Sequence, residues 1–334
     1  MTDATPDRPV AAALAEAAAA AGYAPSVHNT QPWRWRVHPD RLDLLADRGR
    51  QLTKIDPDGR LLMLSCGAAL HHARLALAAE GWTAEVSRLP DPTRPDLLAV
   101  VNATGRTPVT SGAIRLVQAM QVRHTDRRPV GDQALVADWA EAIVTATRDL
   151  ARLQPLTGEQ VLDLSAAAAK AEAVEADDPE IKAELAYWTS RAAPEGTGLP
   201  PAVLPERPPE TTVPGRDFGH PGTLPIGPGH DRAAVYALLY GDDDEPESWL
   251  RAGEALSAAW LTATVLGASV VPLSGVIEVT STRQVLRRAL AQLGYPYLVL
   301  RLGVADPEHA GPPHTPRMPV KQVVDTSPLG QQDA

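Results

Sequence analysis

Four short polar side chains lie within the segment APSVHNTQPWRW, which runs from residue 24 to residue 35: Ser26, Asn29, Thr30 and Gln31. An alanine-rich stretch that ends at a glycine precedes them, and a stretch that alternates tryptophan with arginine follows. The first pattern predicts a helix and the second a strand, so the polar residues are expected on a turn that is fixed at both ends. Hydroxyl and amide groups held in this way can hydrogen-bond a flat heterocycle or its polyol chain. The alternative is a purely structural Asx turn at Asn29.

A second candidate site lies in the segment RHTDRRPV. Arg123, Thr125 and Arg127 occupy alternate positions, so an extended backbone would point all three side chains to one side. Guanidinium groups are planar donors that stay charged at physiological pH, and a pair of them with a hydroxyl between suits a phosphate. The alternative is a solvated basic loop whose charges pair with Asp126 and Asp132.

Composition narrows the class of protein. The chain has 334 residues and a net charge of −10, which argues against a nucleic-acid or anionic-membrane surface and favours a small-molecule partner. Cys66 is the single cysteine and cannot form an intrachain disulfide, and the acidic N-terminus does not look like a secretory signal, so a cytoplasmic location is expected. The apolar window 255–273 is interrupted by Gly267 and Pro272, which predicts a buried helix followed by a strand and no membrane span. The histidines lack metal-ligand spacing, and no metal site is predicted.

The pattern of helices and strands divides the chain into two parts. Residues 1–111 alternate helix and strand, and the alternation restarts in residues 112–334. Residues 194–230 are rich in proline and glycine and are too long for an ordinary connection, so this segment is interpreted as a functional lid or a mobile excursion. The two parts share a coarse order of elements.

The segment PSVHNTQPW resembles the P-S-x-x-N-x-Q-P-W segment of the FMN-dependent nitroreductase superfamily. The best resemblance is to the Acg-type branch of actinobacterial nitroreductase-like proteins, and it extends over nearly the whole chain, through LSCGAALHHARLAL, RHTDRR and the final PRMP. It implies an α+β fold in which two nitroreductase-like halves, with central antiparallel or mixed sheets and surrounding helices, are fused in one chain. Such a chain would be a monomer that mimics the family's usual dimer, or a weak homodimer.

The resemblance also implies a set of flavin-binding residues. The first half would contribute Pro25, Ser26, Asn29 and Gln31; the second half would contribute Arg123, Thr125, Arg127, Pro272, Leu273, Ser274, Gly275 and Arg317. Within this set, the phosphate end would be held by Arg123, Thr125 and Arg317. Arg127 would approach the N1 and O2 edge of the ring, and the segment from Pro272 to Gly275 would face the ring and its N5 atom. The phosphate motif occurs once, so one FMN per chain is expected.

The function that follows from this resemblance is an FMN-dependent oxidoreductase. NAD(P)H would deliver hydride to the flavin, and the electrons would pass to an electron-poor acceptor such as a nitroaromatic, a quinone or a biosynthetic intermediate. The flavin carries the chemistry, so no catalytic side chain is required, and no proton donor is identified. The alternative is a protein that stores or sequesters FMN beneath a closed lid with little turnover.

Overall fold

The computed structural model describes residues 10–227, 230–304 and 311–331, so the N-terminal residues 1–9 used above lie outside the described ranges. The first part of the chain contains α1 Val10–Ala21, β1 Trp33–Val37, β2 Arg41–Ala46, α2 Arg60–Ala79, β3 Trp82–Arg88, β4 Leu97–Arg106 and α3 Ser111–Val122. The remainder contains α4 Ala137–Thr145, β5 Arg152–Pro155, α5 Gly158–Asp177, α6 Pro179–Thr189, β6 Val235–Gly241, α7 Pro246–Leu266, β7 Ala268–Leu273, α8 Gly275–Glu278, α9 Thr280–Ala289, β8 Tyr295–Val304, α10 Val320–Val323 and β9 Val324–Asp325. The predicted α+β fold class is confirmed.

The strands form two sheets. The first has the order β3-β4-β2-β1-β9 and the second the order β5-β6-β8-β7, and every pairing is antiparallel except that of β1 with β9. Strand β1 shows why the first sheet forms, because Trp33, Trp35 and Val37 are buried while Arg34 and Arg36 point to solvent. This alternation is the one expected of a strand with one face on the core.

The two sheets repeat one topology. In each, an antiparallel strand pair is followed by a long helix and a second strand pair: β1-β2-α2-β3-β4 in the first part and β5-β6-α7-β7-β8 in the second. If each element is replaced by its counterpart, the order β3-β4-β2-β1 becomes β7-β8-β6-β5, which is the order of the second sheet. The second set carries long insertions between β5 and β6 and between β7 and β8. The chain therefore contains an internal structural repeat.

The repeat is joined through α2 and α7, which pack against each other. The eighth residue of each helix is a glycine, Gly67 in α2 and Gly253 in α7. A Cβ atom on Gly67 would lie 2.0 Å from the carbonyl oxygen of Leu250, and one on Gly253 would lie 2.0 Å from the carbonyl oxygen of Leu64. Each carbonyl belongs to the residue three positions before the other glycine, so the contact is the same from both sides. The halves thus meet across a pseudo-twofold axis, as the subunits of a symmetric dimer would.

Helix α2 is long and apolar enough to cross a membrane by length and composition, and 78% of its most apolar window is buried inside the protein. It packs against α1, α7 and the first sheet. These contacts account for its apolar composition, because a core helix that is covered on several sides is hydrophobic all round.

Candidate functional site

A cavity lies at the junction of the two halves, between the central helices, strand β7 and the segment before β6. Eleven of the twelve residues predicted to bind a cofactor line it: Pro25, Ser26, Asn29, Arg123, Thr125, Arg127, Pro272, Leu273, Ser274, Gly275 and Arg317. Leu256 and Trp260 of α7 form part of its apolar wall. The fold therefore brings segments from both halves and from the C-terminal region to one place.

The turn at residues 25–31 has an uncommon backbone. His28, Asn29 and Gln31 have φ values of 44°, 56° and 50°, in the left-handed region that residues other than glycine rarely adopt. The Gln31 backbone N–H donates to Ser26 Oγ at 2.9 Å, which closes the turn. Strained backbone persists where the surrounding structure fixes it, and it is concentrated at functional sites.

Asn29 connects this turn to two distant segments. Its Nδ2 donates to the carbonyl oxygens of Gly198 at 3.1 Å and Pro316 at 2.9 Å. Its Oδ1 accepts a hydrogen bond from Nη1 of Arg317 at 3.0 Å. One side chain thus fixes the first half of the chain to the segment before β6 and to the C-terminal region.

Two buried guanidinium groups lie together at one end of the cavity. Nη2 of Arg123 and Nη2 of Arg317 donate to the same acceptor, the carbonyl oxygen of Tyr23, at 3.2 and 3.3 Å. Among the described residues neither has a carboxylate partner, and the Nε atom of each is buried without a hydrogen bond. Burial, and then the neighbouring Arg317, lowers the pKa of Arg123 to about 9, while burial lowers the pKa of Arg317 to about 10. An anion bound here would offset both the desolvation and the repulsion, so the donor set fits a phosphate group.

Arg127 is also buried on the cavity wall. Its Nη1 donates to the carbonyl oxygen of Val203 at 3.2 Å, and its guanidinium lies 5.6 Å from the centre of the Phe218 ring. Burial, and then Arg301, lowers the pKa of Arg127 to about 10. A third cation without a carboxylate partner among the described residues is thus available to an anionic ligand.

Hydrogen bonds from Arg301 fix the backbone of the loop that carries these cations. Arg301 of β8 donates to the carbonyl oxygens of Asp126 and Arg128 at 2.9 and 2.7 Å, and it pairs with Asp231 at 2.9 Å. Asp126 pairs with Arg128 at 2.7 Å. Because Asp126 neutralises Arg128, the alternative of a self-neutralised basic loop does not account for Arg123 and Arg127.

The proline- and glycine-rich segment forms one wall of the cavity. The regular structure of its described residues consists of short 3-10 turns at Ala193–Glu195 and Pro201–Val203 and an isolated parallel bridge between Pro205 and Leu224. It contributes Leu199, Val203, Pro205, Pro209, Thr211, Val213, Pro214, Gly215, Arg216 and Phe218 to the lining. The predicted lid therefore lies against the site, and most of what it presents is apolar.

A charged cluster in this wall was not found by the sequence analysis. Nη2 of Arg216 donates to Oε1 of Glu175 at 2.7 Å and to Oε2 of Glu278, and its Nη1 donates to Nε2 of His28 at 2.9 Å. Burial raises the pKa of Glu175 to about 7, although Arg216 opposes part of this shift. Burial and the guanidiniums of Arg216 and Arg127 hold the pKa of His28 well below its ordinary value. No local spacing indicates this cluster, because its members come from four separate segments.

Gln31 corrects one prediction. It does not line the cavity, and its side chain is 1% exposed. Its Nε2 donates to the carbonyl oxygen of Gly196 at 2.7 Å, and its Oε1 accepts from the backbone N–H of Met318 at 3.0 Å. Gln31 therefore positions the segments around the site instead of facing a ligand.

The remaining reactive side chains have structural surroundings. Across the described ranges, no group of three or more His, Cys, Asp or Glu residues could hold a metal ion. Cys66 is fully buried in α2, where burial raises the pKa of its thiol, so it acts there as a small packing residue. His71 lies with Nδ1 2.8 Å from Ser257 Oγ, in the contact between the central helices.

No known protein-family profile matches the chain. Two relatives from Mycobacterium tuberculosis, each named as a "Putative NAD(P)H nitroreductase", are similar over most of its length. One, Rv3131, is 39% identical over 317 residues, which cover 90% of this chain and 88% of the relative. The other, acg, is 35% identical over 307 residues, which cover 90% of this chain and 91% of the relative. Among solved structures, the FMN- and NADPH-dependent nitroreductase NfnB from Sphigopyxis sp. strain HMH is 16% identical, with a TM-score of 0.39 over 63% of this chain and 97% of that chain.

Proposed function

The chain belongs to the nitroreductase family, and on that premise we propose that it is an FMN-dependent oxidoreductase that takes hydride from NAD(P)H. The electrons would pass to an electron-poor small molecule of the nitroaromatic or quinone class, or to a biosynthetic intermediate. The resemblance to the Acg-type branch is confirmed by the relative acg. The names of both relatives point to NAD(P)H nitroreduction, and the residues of the cavity point to FMN.

The observation that carries the FMN proposal is the pair of buried cations, Arg123 and Arg317, at one end of an otherwise largely apolar cavity. FMN has a matching polarity, because it joins an anionic phosphate to a flat ring through a polyol chain. Pro272 and Leu273 offer apolar surface to a ring, and the cations offer charge-assisted hydrogen bonds to a phosphate.

We assign roles to the predicted site residues by matching the charged end of the cavity to the phosphate and the apolar end to the ring. Arg123, Thr125 and Arg317 would hold the phosphate and the adjacent chain, while Pro25, Ser26 and Asn29 would supply polar contacts from the first half. FMN, when bound, supplies reversible hydride acceptance. The guanidinium of Arg127 would favour the anionic reduced form, and the segment from Pro272 to Gly275 would line the ring. Gln31 would act indirectly, through the turn.

The internal repeat offers a reason for one FMN per chain. Counting from the first residue of α2 and α7, Arg74 stands where Trp260 stands in the second half. Counting from the first residue of β3 and β7, Arg88 stands where Ser274 stands. Both arginines bind the fully buried Glu254, and the bond from Arg88 Nε measures 2.6 Å. The place related to the cavity by the pseudo-twofold axis is thus filled by an ion-pair cluster, which leaves one site.

Flavin titration tests the proposal. Protein stripped of flavin should quench FMN fluorescence with a stoichiometry of one per chain. Arg123→Met should weaken binding by about 10- to 100-fold, because it removes charge-assisted hydrogen bonds. Arg115→Met, an exposed arginine on α3, serves as the matched control and should bind FMN normally. A wild-type protein that does not bind FMN would contradict the proposal.

Anaerobic mixing of the FMN-loaded protein with NADH and with NADPH then tests turnover. Rapid bleaching of the flavin supports the oxidoreductase, whereas persistent colour with FMN bound would support the storage alternative. We further propose a monomeric cytoplasmic protein, because the fused halves already supply the contact that a dimer would make. Sedimentation of the FMN-loaded protein checks the oligomeric state.

A further inference from the structure

The charged cluster around Arg216 is not among the residues that we assign to FMN, although it lies on the wall of the same cavity. The side chains of Glu175, Arg216 and Glu278 are 9%, 10% and 4% exposed, respectively. Both carboxyl groups contact one nitrogen, Nη2 of Arg216, so they also lie close to each other. Two buried carboxylates with one guanidinium carry a net negative charge, and a single added proton makes the cluster neutral. Burial strongly favours the neutral arrangement.

The hydrogen bonds around Glu278 indicate where that proton lies. Oε1 of Glu278 is buried and has no N–H or hydroxyl partner among the described residues. Glu175 is the neighbour that can complete this contact, since a proton on one carboxyl group can be shared with the other. Glu278 is the inner member of the pair, and Glu175 is the member that lines the cavity.

The cluster lies beside a segment assigned to the cofactor. A Cβ atom on Gly275 would lie 3.1 Å from Nη2 of Arg216 and 3.4 Å from Oε1 of Glu175. Gly275 belongs to the backbone segment that, by the proposed function, lines the reactive side of the ring. Its missing side chain lets the cluster approach that backbone closely.

His28 is excluded as the acid of this cluster. Its Nε2 accepts a hydrogen bond from Nη1 of Arg216, which requires an unprotonated nitrogen at that position. Its pKa is held low by burial and by two guanidiniums. His28 therefore stays neutral and helps to orient Arg216, and the carboxyl pair remains as the proton source.

We propose that Glu175 and Glu278 hold a shared proton beside the cavity and that Glu175 donates it to the bound acceptor. The inference rests on the proposed function, because a two-electron acceptor that receives a hydride also requires one proton to become neutral. Reduced nicotinamide supplies the hydride through the cofactor. The O–H bond on the carboxyl group breaks, a new bond to hydrogen forms on the negatively charged acceptor atom, and the carboxylate regains a proton from water. Glu175 is then a catalytic residue, and Glu278 and Arg216 are positioning residues.

The pH dependence of this step depends on the charged groups that surround Glu175. Arg216 of the lid segment and Glu278 of α8 act on Glu175 directly. His28 acts on Arg216, Asp56 on Glu278, and Asp217 on Glu172, which lies one helical turn before Glu175. Burial raises the pKa of Glu175 above its ordinary value, so the carboxyl is protonated on the acid side of neutrality. Proton donation should therefore fail as the pH rises above about 7.

Infrared spectroscopy tests the stored proton without any cofactor. Asp56 is replaced by asparagine in every protein compared, because burial also raises the pKa of Asp56 to about 7 and its band would overlap. The FMN-free Asp56→Asn protein should show the C=O band of a protonated carboxyl that disappears between about pH 6 and about pH 8 and shifts in heavy water. Adding Glu175→Gln should abolish this band, whereas adding the control Glu172→Gln, one helical turn earlier on α5, should leave it. An Asp56→Asn protein with no such band, or a band that persists when Glu175→Gln is added, would overturn the inference.

Rapid-mixing kinetics test the donation. With a quinone acceptor and pre-reduced FMN-loaded protein, the wild-type rate should fall above about pH 7. In Glu175→Gln it should be about 100-fold lower and independent of pH, with partial rescue in Glu175→Asp. FMN affinity and reduction by NAD(P)H should be unchanged, because neither uses this proton. Normal acceptor kinetics in Glu175→Gln would overturn the inference alone, whereas failure to bind FMN would overturn the proposed function and the donation with it.

Discussion

Arg123 and Arg317 donate to one carbonyl oxygen, that of Tyr23, at 3.2 and 3.3 Å, although they are 194 positions apart in the sequence (317 − 123). Two buried cations that share one neutral acceptor repel each other, and burial followed by this repulsion lowers the pKa of Arg123. An anion bound beside them would offset both the desolvation and the repulsion. The free energy of the empty site is therefore raised, and that of the loaded site is lowered.

Arg317→Met should separate these two effects. FMN affinity should fall by at least about tenfold, since a charge-assisted contact is lost. The thermal stability of the FMN-free protein should change little, because relief of the repulsion offsets the loss of the hydrogen bonds from Arg317 to Asn29, Thr315 and Tyr23. Calorimetry with and without FMN measures both quantities. If the variant were destabilised without FMN and kept its affinity, the pair would be structural and would not be an anion site.

Arg127→Ala should lower the reduction potential of the bound flavin and weaken its retention. The variant removes the cation that we assign to the ring, and a nearby cation favours the anionic reduced form. It also removes a hydrogen bond to Val203, so Phe218→Ala is the control that loosens the same wall without changing charge. A dye-coupled redox titration compares them. Equal potentials in wild type and Arg127→Ala would contradict our placement of Arg127.

Local patterns predicted those parts of the fold that have strong local signals. Helix α1 was expected from an alanine-rich stretch that ends at a glycine, strand β1 from alternation, and the succession of α7 and β7 from an apolar window interrupted by Gly267 and Pro272, and the structure contains all of them. Strand β6 was not predicted, because it follows the proline- and glycine-rich segment and its apolar run has no clear period. Yet β6 pairs with both β5 and β8, so tertiary context fixes it.

The candidate site likewise contains some residues that the sequence indicates and others that only the fold brings together. Asn29, Arg123 and Arg317 lie in short motifs whose residue types already indicate binding. Glu175 and Arg216 lie in segments of ordinary composition, and only the folded chain brings them within 2.7 Å of each other. A single carboxylate on a predicted helix is usually solvated, so a sequence alone gives no reason to select it.

Asp56 predicts a pH-dependent stability. Its Oδ2 accepts from the backbone N–H of Leu62 at 2.9 Å at the start of α2, and burial, with a contribution from Glu278, raises its pKa to about 7. A carboxyl whose pKa is raised on folding stabilises the protein fully at low pH. That stability is lost as the pH rises from the ordinary value of 3.8 to about 7.

The free energy of unfolding should therefore decrease over this range in the wild type, by up to about 1.4 kcal/mol per pH unit for one proton. Asp56→Asn keeps an acceptor for Leu62 and cannot ionise, so its slope should be smaller. Urea titrations at several pH values measure the slopes. Parallel curves for the two proteins would show that Asp56 does not titrate in this range.

Substitution of Glu254 tests whether the ion-pair cluster closes the second site, without changing any residue of the first site. It is fully buried between Arg74 and Arg88, whose side chains are 35% and 15% exposed. Glu254→Gln would leave Arg88 desolvated without its counter-ion, at a cost of about 3 kcal/mol. This free-energy cost is at the lower end of the range for breaking a buried ion pair, because Arg74 stays partly hydrated. Asp242→Asn, which breaks the exposed pair with Arg152, should cost less than about 1 kcal/mol.

Chemical denaturation measures both changes, and flavin titration of Glu254→Gln should still give one FMN per chain. Releasing the two arginines does not create a second turn like that of Asn29 or a second pair of cations, because the RHTDRR motif that supplies Arg123 occurs once in the chain and has no counterpart in the first half. A second equivalent of FMN bound by this variant would mean that the ion-pair cluster alone had closed the second site. An unfolding free energy equal to that of the wild type would instead show that Glu254 is not the counter-ion that Arg88 requires.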